Sequence, residues 1–102
     1  MTTTDQLIAL AETIAKGLRG VSRNEWMRWI QVAQQHGIDK ALHYAHQLAY
    51  DPTVRPAQKR AYRLIVETLQ RFRSQIVQLQ EDEAHKLYGF IAWELVIQKQ
   101  WL

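Results

Sequence analysis

Cysteine is absent from the 102-residue chain, which excludes disulfides, a thiolate nucleophile and Cys-ligated zinc or iron–sulfur sites. A reducing, cytoplasmic compartment is the expected setting. Proline and glycine are scarce, at 2 and 4 residues, so few positions are set aside for turns or long loops. No run of Val, Ile and Thr alternates with polar residues, which leaves a β-sheet without its usual pattern. No apolar stretch approaches the ~20 residues that span a bilayer, and Met1-Thr2-Thr3-Thr4-Asp5 has neither a basic nor an apolar leader segment. Export and a membrane partner are therefore not expected. Neither sign of charge dominates: Lys and Arg total 13 against 10 for Asp and Glu, a surplus too small to identify a polyanion partner. Where the charges lie matters more.

What is present favours helix. Hydrophobic residues make up 47% of the chain, enough to bury a core, and Ala, Leu, Gln, Arg and Glu are common. Residues 1–102 are expected to form a single all-α domain, a compact bundle of about five helices. The first runs from about Asp5 to Leu18, with Leu7, Ile8, Ala11, Ile14, Ala15 and Leu18 on one face and Thr4 as N-cap. Ser22-Arg23-Asn24-Glu25 has the spacing of a capping box, and Val21 and Trp26 stand where a hydrophobic staple would pair them. The second helix then places Trp26, Trp29, Ile30 and Ala33 on one face and stops at His36-Gly37-Ile38. Asp39 is placed to cap a third, from Lys40 to about Tyr50, whose inward face is Ala41, Leu42, Ala45, Leu48 and Ala49.

The only strong breaker is Asp51-Pro52-Thr53-Val54-Arg55-Pro56. Pro56 suits the first position of a fourth helix, which carries Ala57, Ala61, Ile65, Leu69, Phe72, Ile76 and Leu79. Glu81-Asp82-Glu83 fits the N-terminus of a fifth helix, where carboxylates complement the helix dipole, followed by Leu87, Tyr88, Ile91, Leu95 and Val96. No proline or glycine separates the fourth from the fifth. The pattern therefore leaves open a single rod of roughly 40 residues, about 60 Å long.

The fourth segment carries the strongest functional signal. Arg55, Lys59, Arg60, Arg63, Arg71 and Arg73 fall within a stretch that holds one acid, Glu67. At 100° per residue Lys59, Arg60, Arg63 and Arg71 lie opposite the apolar stripe. A row of guanidinium groups on a rigid helix can follow a phosphate backbone, each neutralised phosphate releasing counterions. Surface helices also carry such residues for solubility alone, and Glu67 is spaced to pair with Arg63 or Arg71. Arg23 and Arg28 are second choices, and Arg19 and Lys40 extend the surface if the first three helices pack alongside.

Four tryptophans are many for so short a chain. Trp26 is accounted for by its staple position, whereas Trp93 and the near-terminal Trp101 are candidates for a protein interface. His43 and His46 are three apart on a helix, but no carboxylate completes a ligand pattern, so no metal is expected. No phosphate-cradling glycine loop, nucleophile elbow or specific carboxylate pair is found, so no cofactor and no enzymatic activity are expected.

A small, acid-ended, basic-faced helical chain of this kind resembles the small subunit of multisubunit CRISPR effector complexes of the Cascade type. The likeness spans the chain in size and helix pattern and rests most on the basic helix Pro56 to Leu79. It implies a non-enzymatic subunit, present in several copies beside other protein subunits, holding target or displaced strand by its backbone. Lys59, Arg60, Arg63 and Arg71 would serve that role, with Arg23 and Arg28 behind them, and base recognition would belong to guide pairing. The alternative is a helical protein-protein adaptor or homo-oligomeric scaffold using Trp93, Trp101 and the fifth helix. A helix-turn-helix reader built on the second and third helices is disfavoured, because the third offers only Lys40 as a base.

Overall fold

The computed structural model describes the backbone of residues 2–101 and the side chains of residues 2–98. Five α-helices follow one another: α1 (Thr4–Gly17), α2 (Arg23–His36), α3 (Ile38–Tyr50), α4 (Pro56–Val77) and α5 (Glu81–Trp101), with no strand among the described residues. The expected all-α bundle of about five helices is thus the observed architecture.

Each start has a local cause. Thr3, one residue before the expected cap, accepts the N–H of Gln6 at 3.1 Å, while Gln6 returns its side-chain oxygen to the Thr3 N–H at 2.9 Å. Gln6 makes the difference: only from Thr3 does the cap lie three residues before a Gln or Glu, the spacing a capping box needs. At α2, Ser22 accepts the N–H of Glu25 at 3.3 Å, the first half of the box expected there. Between α2 and α3 the chain turns at Gly37, whose φ of +87° is a region L side chains rarely adopt. Its N–H donates to Ala33 O at 2.9 Å and closes α2. α3 then begins at Ile38, so Asp39 lies inside the first turn and is not its cap. Pro56 occupies the first turn of α4, where its missing N–H leaves no bond unmade.

α4 and α5 are two helices, not one rod. The break spans residues 78–80, and the acidic run specifies it: Glu83 Oε1 accepts the N–H of Gln80 at 2.9 Å, and Glu83 Oε2 accepts the N–H of Thr2 at 3.1 Å. One carboxylate thereby caps α5 and pins the start of α1 beside it. The turn after α1 lies near Leu95 and Gln98, so α1 and α5 run in the same direction.

All five helices feed one core. α3 packs mainly on α4, α1 on α5, and α2 bridges α3 and α5. Ala41, Ala45 and Ala49 give α3 its close approach, and Trp26 and Trp29 fill the centre with no exposed surface. Trp26 Nε1 donates to Tyr88 O at 3.1 Å and Trp29 Nε1 to Ala41 O at 2.9 Å, so each indole ties α2 to a different neighbour. Where α1 crosses α4, Thr68 Oγ1 donates to Gly17 O at 3.0 Å, and a Cβ on Gly17 would come within 2.8 Å of Thr68. α4 is flanked by both α1 and α3, so its buried arc widens to include Tyr62, Val66 and Thr68, which the single apolar stripe did not include, while Ala57 is exposed.

Gly89 stands in the middle of α5, exposed, with no atom within 4 Å of where a Cβ would be. A mid-helix glycine costs roughly 0.5–1 kcal/mol relative to alanine. Gly89→Ala in dilute solution should raise the melting temperature by about 2–8 °C for a domain of this size. A lowered melting temperature by circular dichroism would mean that the site is not open as described.

Candidate nucleic-acid interface

The candidate surface is the side of α4 that the core does not use. Ala61, Ile65, Leu69 and Ile76 are buried, and rotation by 100° per residue places Arg60, Arg63, Glu67, Gln70, Arg71 and Ser74 on the opposite, exposed side. Arg60, Arg63, Glu67 and Arg71 follow one another at helical spacings of three and four, so the ridge from Arg60 to Arg71 extends about 16 Å along the axis.

The neighbours of each cation set what it can do. Arg63 lies over the exposed ring of Tyr50, its guanidinium carbon 5.7 Å from the centroid, within the range of a cation–π contact that leaves its N–H groups without a carboxylate partner among the described residues. Arg71 reaches across Gly17, with Nη2 about 3.1 Å from where a glycine Cβ would sit, at the end of α1 where the helix dipole favours a cation. Arg60 is exposed. Glu67 is exposed too, yet the pairs with Arg63 and Arg71 that its spacing allows do not form: the only ion pair among the described residues is Arg73 with Asp39. Three guanidinium groups on one ridge are therefore free of carboxylate partners.

The remaining basic residues are more dispersed. Lys59 is half-buried, and Asp51, near enough to feel its charge, has its carboxyl held below its usual value by hydrogen bonds from the Thr53 hydroxyl and N–H and, last, by Lys59. Arg28 is exposed on α2 and its charge acts on the buried phenol of Tyr62, which burial first, and the Tyr44 neighbour second, push up to about 12. Arg23 is exposed, but no contact joins it to the ridge. The turn that carries exposed Arg19 comes up against α4, with Leu64 Cδ1 3.9 Å from where a Cβ at Gly20 would sit.

Arg73 points elsewhere. Its Nε and Nη2 donate to the two carboxylate oxygens of Asp39 at 2.7 and 3.0 Å, a bidentate pair between α4 and α3. The hydrogen bond from Arg73, and then its charge, hold the Asp39 carboxyl below its usual 3.8. A lowered folded-state value means the pair contributes above about pH 4 and is lost as pH falls through that lowered value.

Trp93 is 66% exposed and borders an open cleft of about 650 Å³ lined by Ile8, Lys86, Gly89, Phe90 and Glu94. The expected role of Trp101 falls outside the described side chains. His43 hydrogen-bonds Gln47 and His46 lies against the Tyr50 ring, and no group of three metal-ligating side chains occurs among the described residues. No described helix is long and apolar enough to cross a membrane. No family model, curated protein or solved structure matches the chain.

Proposed function

We propose that this chain is a non-enzymatic, cytoplasmic helical subunit that holds nucleic-acid backbone, DNA or RNA, within a multisubunit RNA-guided CRISPR effector complex. One observation supports the backbone contact above the rest: Arg60, Arg63 and Arg71 stand on one exposed ridge without carboxylate partners among the described residues. Guanidinium groups pair with phosphate in a planar, two-pronged way, and the ridge rests on a 22-residue helix anchored in the core, so the row is presented on a rigid element. The place in an effector complex comes from the resemblance in size, charge layout and helix pattern. A subunit of that kind follows the sugar-phosphate chain and leaves sequence to guide pairing. Glu67 within the ridge lowers its net charge and favours modest affinity.

Fluorescence anisotropy with labelled single-stranded DNA, single-stranded RNA and duplex DNA of scrambled sequence tests this reading. Binding is expected in the range of about 10⁻⁴–10⁻⁶ M near physiological salt, indifferent to sequence. Absence of binding to all three at low salt, or dependence on one sequence, would contradict it.

Exposed Trp93 favours a second reading, a helical scaffold that binds protein through α5 with no nucleic-acid contact.

A further inference from the structure

α5 is apolar on both sides. Its inner face buries Leu87, Tyr88, Ile91, Ala92 and Leu95, and its outer face carries exposed Gly89 and Trp93 and, at its edge, Phe90, which is half-buried against the core, beside Ile8 of α1. An amphipathic surface helix needs only the first. We propose that the outer face is the contact between two copies of this chain, with α5 packed antiparallel on α5 about a two-fold axis beside Phe90.

Charge placement points to a second copy. Lys86 and Glu94 both border the cleft, each four residues from Phe90. They are eight residues apart, about 12 Å along the helix, and neither forms an ion pair within the described chain. A two-fold axis beside Phe90 carries Lys86 of one copy to Glu94 of the other and the reverse, the self-complementary exchange that isologous contacts require. Parallel packing would instead set Lys86 beside Lys86. Gly89 completes the fit: its own fold places nothing over it, and the gap between Lys86 and Trp93 admits a side chain from the facing helix.

The strip from Lys86 to Glu94 spans about 12 Å of one helix with Ile8 at its edge, below the area of a standard stable interface, so the dimer is a weak one that forms at about tens to a hundred micromolar concentration. α5 packs on α1 and α2 while α4 packs mainly on α3, so closing this face leaves the α4 ridge uncovered in both copies. The inference goes beyond the nucleic-acid reading and does not depend on it.

Sedimentation velocity of the full chain, without nucleic acid, from about 1 to about 300 µM tests the proposal. A reversible monomer–dimer equilibrium is expected. Trp93→Ser should stay monomeric throughout, and Lys86→Glu or Glu94→Lys alone should weaken the dimer at least ~10-fold by setting like charges face to face. Lys86→Glu with Glu94→Lys in the same chain should recover dimerisation to within ~3-fold, because the reversed pair is again complementary. Lys86 and Trp93 are exposed and Glu94 is half-buried without an ion-pair partner among the described residues, so each variant should keep the wild-type helical signal and melting temperature. A wild-type monomer at about 300 µM would overturn the proposal, as would a dimer untouched by Trp93→Ser or a double variant without recovery.

Discussion

Trp29→Ala is expected to cost about 3–5 kcal/mol, a large part of the roughly 5–15 kcal/mol that holds a domain of this size. The indole has no exposed surface. It stacks on Trp26 at 5.1 Å between centroids with 23° between planes, and meets Tyr88 edge-on at 5.6 Å. Its Nε1 donates to Ala41 O at 2.9 Å. Truncation therefore removes a large buried area, an aromatic pair with each of two neighbours, and the hydrogen bond that joins α2 to α3. The site lies where α2, α3 and α5 meet, so little nearby can collapse into the space. Urea denaturation followed by circular dichroism should show a midpoint lowered by ~1 M or more, taking a slope of about 1–3 kcal/mol/M. The exposed Trp93→Ala should change stability by no more than ~0.5 kcal/mol. Equal losses at both positions would mean that the centre of the bundle is not where these indoles place it.

Arg60→Glu combined with Arg63→Glu is expected to reduce nucleic-acid affinity at least ~100-fold at low salt. Each change removes a charge-assisted contact of about 1.5–3 kcal/mol and sets a carboxylate against the phosphates. Both side chains are exposed and unpaired with carboxylates among the described residues, so the melting temperature should be unchanged within the small range of surface substitutions. Arg73→Gln supplies the control. That guanidinium is already held by both oxygens of Asp39, so its loss should change binding far less, although it sits on the same helix with the same formal charge. A loss of affinity per unit of charge changed as large for Arg73→Gln as for the double variant would assign binding to overall charge and not to the ridge.

Much of the bundle is legible in the residues, because its helices are specified locally. Trp26, Trp29, Ile30 and Ala33 follow a helical period and are all buried. Glu81-Asp82-Glu83 reads as a helix start without any proline or glycine, and Glu83 shows why: a side chain that caps its own helix ends the preceding one as firmly as a breaker. Legibility fails where the cause is tertiary. The Arg73–Asp39 pair joins residues 34 apart, so no local spacing signals that this arginine, unlike Arg60, is occupied. The same holds for the ring of Tyr50 beneath Arg63 and for Arg71 at the end of α1. Equal residue types on one helix thus divide into free and engaged groups only once the neighbours are in place. α5 is the converse case: Phe90 and Trp93 are plain in the sequence, but that Trp93 stays exposed beside half-buried Phe90 emerges only when the inner face is seen to be filled.

The central claim is that the outer ridge of α4 meets phosphate directly. The slope of log affinity against log salt measures this, since each phosphate contact contributes about 0.7–0.9 to it. The double variant Arg60→Glu, Arg63→Glu should flatten the wild-type slope by about 2. A slope identical in the two proteins would place the contact elsewhere on the molecule.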